Sequence, residues 1–291
     1  MWLLALTAVK VLNPILPSST APDTEPQIAK RCSPSPFQPS FFRRLRYYRP
    51  LPTSRMSPFI LPSDNPRIKR VHSFDELVTT RFAAGVNALC WQRELPDGFG
   101  EVVTTLGADE GITSLDEPIL QALVVGATGR AAVAVLIADL RLLRDRGLSP
   151  VLDCILGYPR DDEPGPVPTD VYSFHADSAT VEADTYLCTY YGATSEGLRN
   201  EEAQQRVTIP STRVELLTQF GGADNGEFQE YLKENCYDLH YAALPAARPF
   251  EFGVGNLWRI AIDYPGSPVP PCIHRAPENI PGQPPRLLLI S

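Results

Sequence analysis

Long apolar runs, paired cysteines, lysine and histidine are all scarce in this chain of 291 residues. No stretch approaches the roughly 18 consecutive apolar residues that cross a bilayer, so no membrane span is predicted. The six cysteines, Cys32, Cys90, Cys154, Cys188, Cys236 and Cys272, are widely spaced and form no C-x-x-C pair, which argues against a cysteine zinc site. A chain of this length does not need disulfide staples, and a cysteine inside an apolar run, such as Cys188, reads as a small core residue. Lysine numbers four against 22 arginines, a compositional bias that points to no function. What is present is ordinary for a globular protein: 43% hydrophobic and 21% charged residues. That excludes a wholly disordered, collagen-like or coiled-coil chain.

Charge and proline divide the chain unevenly. Residues 1–55 hold eight basic and two acidic side chains, a net of +6, and the remainder carries a net of -14. An acidic body speaks against a nucleic-acid partner, because phosphate binding draws on Lys and Arg. Of the 30 prolines, twelve lie in 1–66 and eight in 264–285. Residues 1–66 therefore read as a poorly ordered, Pro-rich, basic extension. Its apolar start, Trp2 to Val9, lacks the basic lead and cleavage site of a signal peptide. The stretch Pro34 to Pro52, with its Arg43-Arg44-Leu45-Arg46-Tyr47-Tyr48-Arg49 run, resembles an RNA, membrane or organelle-address segment in composition only; the plainer reading is an unstructured extension. Met56, where this composition ends, is a candidate start. The expected location is the cytoplasm.

Residues 67–291 read as one domain, a helical layer over 67–150 and a β core over 151–291. Ser73-Phe74-Asp75-Glu76 is a capping box opening a helix to about Ala84. Ser114 to Pro118 repeats the device before Ile119 to Val125. Arg130 to Arg146 has apolar residues at helical spacing, and Gly147 ends it. After Pro150, strands are predicted at Val151 to Leu156, Thr185 to Tyr191, Leu257 to Tyr264 and Arg286 to Ile290. Asn225 to Cys236 reads as a short helix. Helices precede strands, an α+β arrangement with a mostly antiparallel core.

The chain has four histidines, His72, His175, His240 and His274. His72 precedes a helix cap and reads as a surface residue. His175 and Asp177 form His-x-Asp, and on an extended backbone residues i and i+2 point the same way. A second imidazole would complete a two-His-one-carboxylate triad with open positions for Fe(II) chemistry. His274 is the favoured partner, because Arg286 follows it by twelve residues at the head of an apolar strand. His240 is the rival, but Arg248 after it leads into Pro249 rather than a strand. Asp161, Asp162, Glu163, Asp170 and Asp184 read as solvated charges.

These features resemble the Fe(II)/2-oxoglutarate-dependent oxygenases: His-x-Asp, a Gly turn at Phe252 to Leu257, a distal His and then an Arg. More narrowly, Phe174-His175-Ala176-Asp177, Thr189 to Glu196 and Ile273-His274-Arg275-Ala276-Pro277 are similar to a bacterial family of unassigned function. That family carries FH-x-D, TY-x-G-x-x-T-E and HR-x-P blocks. Here Ser195 intervenes before Glu196, and Asn256 stands where Asp is common. The match spans roughly 170–291.

The resemblance implies a double-stranded β-helix, a jelly-roll of cupin-like form, with His175, Asp177 and His274 binding Fe(II). It implies Arg286 as the anchor for the distal carboxylate of 2-oxoglutarate, Arg275 as its rival, and Tyr186, Thr189 or Tyr190 as pocket residues. The expected activity is an O2-consuming hydroxylation of a small molecule or peptide with release of succinate and CO2. The alternatives are a non-catalytic metal-binding jelly-roll protein and a zinc hydrolase using the same triad. An acidic loop over 158–170, should it cover the site, favours a cationic or zwitterionic substrate.

Overall fold

The computed structural model describes residues 59–62, 64–108, 111–160 and 165–291. The Trp2–Val9 stretch, the basic Pro34–Pro52 segment, Cys32, the Met56 start and the acids at 161–163 lie outside the described residues. Phe59 and Leu61, inside the expected extension, pack against the core cluster around Trp258, and Asn65 is buried.

Thirteen strands and six α-helices follow in chain order among the described residues. The strands are β1 (Ile68–Val71), β2 (Ala88–Trp91), β3 (Ile112–Leu115), β4 (Val151–Ile155), β5 (Phe174–His175), β6 (Asp184–Tyr191), β7 (Glu196–Leu198), β8 (Ala203–Gln205), β9 (His240–Ala243), β10 (Phe250–Glu251), β11 (Leu257–Ala261), β12 (Ile273–Arg275) and β13 (Arg286–Ile290). The helices are α1 (Phe74–Thr79), α2 (Phe99–Leu106), α3 (Glu117–Ala122), α4 (Ala127–Arg144), α5 (Pro210–Phe220) and α6 (Gly226–Glu234).

The strands make two sheets in a mixed α+β fold. One has seven strands in the order β1-β2-β11-β6-β13-β4-β3, the other six in the order β10-β7-β12-β5-β9-β8. Only β1 and β2 pair in parallel; the other pairs are antiparallel. The expectation of helices first and strands after misses β1, β2 and β3, which come from 67–150 and extend both flanks of the larger sheet. Each is four residues long; β1 and β3 are largely exposed and β2 is an unbroken apolar run, so none shows an apolar alternation long enough to stand out.

Side-chain alternation assigns the faces. Tyr186, Cys188 and Tyr190 of β6 and Leu287 and Leu289 of β13 pack with Phe99, Val102, Leu136 and Leu140 of the helices. Leu187 and Leu288 point the other way, with Trp258, Phe252, Ile155 and Cys272. That second cluster joins the two sheets, and the functional side chains lie on this inner side.

The helices follow their caps with corrections. Ser73 accepts from the Glu76 amide, and Glu76 in turn accepts from the His72 amide, so the capping box forms. Its helix ends at Thr79, short of Ala84, which has φ 52. Before α3 the cap is Asp116, whose carboxylate accepts from the Ile119 amide. Ser114 instead lies on β3 and donates to Asp153. α4 starts three residues earlier than Arg130, because Glu101 of α2 accepts from Gly126 N, Gly129 N and Thr128 Oγ1 and so satisfies the open N-terminal amides. Gly147, φ 78, closes it.

Candidate metal centre

The smaller sheet lines up its chemistry in one transverse row. Gly197 of β7 pairs with His274 of β12, His274 with His175 of β5, and His175 with His240 of β9. Directly opposed residues in an antiparallel ladder share a face, so all three imidazoles emerge together. The alternate positions, Phe174, Leu198 and Ile273, form a separate cluster on the outer face. At one end of the row Phe250 lies opposite Gly197, and its ring leaves no room there for a Cβ, which would come within 2.2 Å. Phe250, Phe252 and Trp258 stack into an aromatic wall beside His274.

His175, Asp177 and His274 converge, with one donor atom from each lying within 4.8 Å of the others. Each imidazole Nε2 is 3.8 Å from one Asp177 oxygen, His175 from Oδ1 and His274 from Oδ2. The other ring nitrogens are held by the backbone: His175 Nδ1 donates to the Ser173 carbonyl at 2.8 Å and His274 Nδ1 to that of Cys272 at 3.3 Å. Those bonds place the protons on Nδ1 and turn both Nε2 lone pairs toward Asp177. The Thr185 hydroxyl donates to Asp177 Oδ2 at 2.6 Å and orients the carboxylate. A first-row divalent ion bonds such donors at about 2.1 Å, so adjacent donors would draw to about 3 Å. Small side-chain rotations supply that contraction. The buried His-Asp-His group can hold a metal ion.

Burial, and then the neighbouring His274, push the His175 imidazole down to about 4. Burial works to raise the Asp177 carboxyl, but the His274 and His175 rings outweigh it and hold it below its usual range. Near neutral pH His175 therefore offers a lone pair and Asp177 a carboxylate. His240 is brought beside the triad, its ring centroid 5.8 Å from that of His175, yet it is not one of the converging donors. Its Nδ1 bonds the Ser173 hydroxyl at 2.7 Å, and burial pushes it to about 3.

The metal-free protein should therefore lose stability between pH 7 and pH 5. His175 and His240 titrate lower when folded than the ordinary 6.5, so in this window the unfolded chain binds more protons and acid favours it. Each group contributes about 1.4 kcal/mol per pH unit below 6.5, roughly 2 kcal/mol apiece at pH 5. Urea unfolding at the two pH values measures it; a flat profile would show the imidazoles to be hydrated in the folded state.

Arg286 enters from the larger sheet. It is 5% exposed, and its Nη2 donates to Ser195 Oγ at 2.6 Å and Thr189 Oγ1 at 3.3 Å. Its Nε is buried without a partner, and no carboxylate pairs with it among the described residues. Burial lowers its pKa, with Tyr158 opposing. The guanidinium lines a cavity of about 140 Å³ with Tyr158, Tyr172, Ile155 and Ala193. Ser195, which the guanidinium meets, is two positions before Gly197, the residue paired with His274.

Of the other expected pocket residues, Thr189 is at the site. Arg275 is not: it lies on the outer face, paired with Glu196 at 2.6 Å and stacked over Phe174. Tyr186 and Tyr190 point into the helix-side core, where Tyr190 donates to Asp139 at 2.6 Å. Thr185 and Thr189 share the inner face of β6, whereas the tyrosines have the opposite parity. Asp184 is half-buried and paired with Arg259, not solvated, and the Asp170 carboxylate accepts from the Tyr172 and Ser173 amides. Asn256 holds the Gly turn by donating to the Phe252 carbonyl. The sequence reading missed Thr185, Ser173 and Ser195 as supporting residues; Ser195, the departure from the TY block, is the one that meets Arg286.

Compared with known proteins, the chain matches no family model, no curated protein and no solved structure. Among the described residues no helix is long and apolar enough to cross a membrane.

Proposed function

We propose that this chain is a non-haem Fe(II)/2-oxoglutarate-dependent oxygenase of the hydroxylase type, with a jelly-roll core of double-stranded β-helix form. The observation that carries this reading is Arg286, a buried guanidinium with an unpartnered Nε that meets Ser195, two positions from the Gly197 paired with His274 of the His-Asp-His cluster. A buried cation without a counter-charge is costly, and a bidentate carboxylate removes that cost. A zinc hydrolase needs only the triad and water, and leaves Arg286 without a task. The same holds for a binding protein that keeps the metal alone.

On this reading His175, Asp177 and His274 hold Fe(II), which supplies O2 activation coupled to oxidative decarboxylation of 2-oxoglutarate. Arg286 takes the distal carboxylate of the co-substrate, with the Ser195 and Thr189 hydroxyls fixing the guanidinium. Thr185 keeps the Asp177 carboxylate turned to the metal. The stacked Phe250, Phe252 and Trp258 keep bulk water from one side of the centre. The prime substrate is a small molecule or peptide.

The test is anaerobic loading with Fe(II), addition of 2-oxoglutarate and O2, and measurement of succinate. Succinate formation that depends on Fe(II) and disappears in Asp177→Ala is expected. Stoichiometric Fe(II) binding with neither succinate formation nor 2-oxoglutarate affinity would overturn the proposal.

A further inference from the structure

Two buried side-chain nitrogens or oxygens among the described residues lack a hydrogen-bond partner: Nε of Arg286 and Nε of Arg206. Such atoms are rare in a well-packed interior, and each one calls for an explanation, a ligand or a water among them. The first is accounted for above. Arg206 follows β8 directly, one position past the Gln205–Tyr241 pair of the β8–β9 ladder, which sets it against His240. Its side chain forms no hydrogen bond or ion pair with the described residues, whereas Arg213 nearby pairs with Asp224 and Arg275 with Glu196. The transverse row thus runs from the aromatic wall through His274, His175 and His240 to a free guanidinium.

We infer that Arg206 and His240 form a subsite beside the metal centre for an oxyanion, a carboxylate or phosphate, of the prime substrate; this rests on the oxygenase reading, in which Arg286 is occupied by the co-substrate. An arginine offers Nε and one Nη as a fork matched to two oxygens, and here Nε is the free donor. His240 supplies the complement. The Ser173 hydroxyl lies 3.0 Å from both the Pro168 and Asp170 carbonyls, so its proton goes to one of them and its oxygen accepts from His240 Nδ1. His240 Nε2 is then an acceptor. The matching ligand has a hydroxyl or amino group next to its oxyanion, as in a hydroxy or amino acid. Of the cationic or zwitterionic substrates that an acidic loop over the site favours, a zwitterion fits this subsite through its carboxylate.

The experiment uses the full chain loaded with Zn(II), which supports no turnover, and saturated with 2-oxoglutarate. Inorganic phosphate, acetate and glycolate are titrated in turn while the arginine Nε–H resonances are followed by NMR. The Arg206 signal is identified by its absence in Arg206→Gln. A saturable shift of that signal is expected, with at least about tenfold weaker anion binding in Arg206→Gln and a smaller loss in Arg206→Lys. Phosphate against acetate tells which oxyanion the subsite takes, and glycolate should bind more tightly than acetate through its hydroxyl. No saturable response at Arg206 with any probe overturns the inference while leaving iron and 2-oxoglutarate binding intact. If 2-oxoglutarate itself shifts Arg206 and leaves Arg286 silent, the co-substrate assignment fails instead.

Discussion

We expect His274→Ala to bind no Fe(II) under conditions where the native protein binds one ion per chain, and His240→Ala to retain that stoichiometry. The two histidines flank His175 on the same sheet face, one pairing with it through β12 and the other through β9, so proximity alone does not separate them. What separates them is aim. His274 Nε2 points to an Asp177 oxygen, whereas His240 stands farther from His175 and outside the convergent set. Loss of a residue that only orients a ligand costs about 10–100-fold in metal affinity. Loss of one of three ligands should therefore cost at least about 100-fold, as should His175→Ala and Asp177→Ala. Thr185→Val removes only the hydroxyl on Asp177 and belongs in the 10–100-fold class, with stoichiometry recovered at high Fe(II). Removing the His240 ring leaves the Ser173 hydroxyl short of a partner, about 1–3 kcal/mol, so folding is checked by urea unfolding beside the metal titration. Iron retained in His274→Ala and lost in His240→Ala would move the centre to the other side of His175.

The triad was legible because two of its members are two residues apart on extended chain and the third carries a distinctive neighbourhood, an Arg opening an apolar strand. Arg286 was legible for the same reason: alternation alone puts it on the face of Leu288, and Leu288 lies in the cluster between the sheets. Tyr186 and Tyr190 were misplaced because strand parity becomes useful only once one face is assigned. Nothing local says that α2 and α4 cover the even-numbered side of β6. The His240–Arg206 end of the row was hidden more deeply. β8 and β9 are three and four residues long, and the pairing of β9 with β8 on one side and β5 on the other joins segments tens of residues apart. Such contacts leave no periodic trace in the sequence. The pairing of Glu196 with Arg275 is equally non-local, and it is what removes Arg275 from contention as an anchor.

The largest effect on the co-substrate is expected at Arg286, and it carries an opposite effect on stability. Arg286→Met should weaken 2-oxoglutarate by about 2–5 kcal/mol, on the order of 30- to 1000-fold or more, because it removes the charged partner of a buried carboxylate. Arg275→Ala should leave 2-oxoglutarate affinity close to native, since that guanidinium is committed to Glu196 on the far face. Arg286→Met also exchanges a desolvated, partly unsatisfied cation for an apolar chain of similar length among Ile155 and Leu288. Removing an unpaired buried cation relieves a desolvation cost that exceeds the about 1–3 kcal/mol of leaving the Ser195 hydroxyl short of its donor. The variant should therefore melt at or above the native temperature when no ligand is present, and gain nothing from 2-oxoglutarate. The native protein should start lower and rise as the co-substrate fills the cavity, following the free ligand concentration. Thermal unfolding of both proteins, with Zn(II) bound and with and without 2-oxoglutarate, reads both effects at once. A variant that melts well below the native protein and still gains from 2-oxoglutarate would mean that the guanidinium supports the fold rather than the ligand.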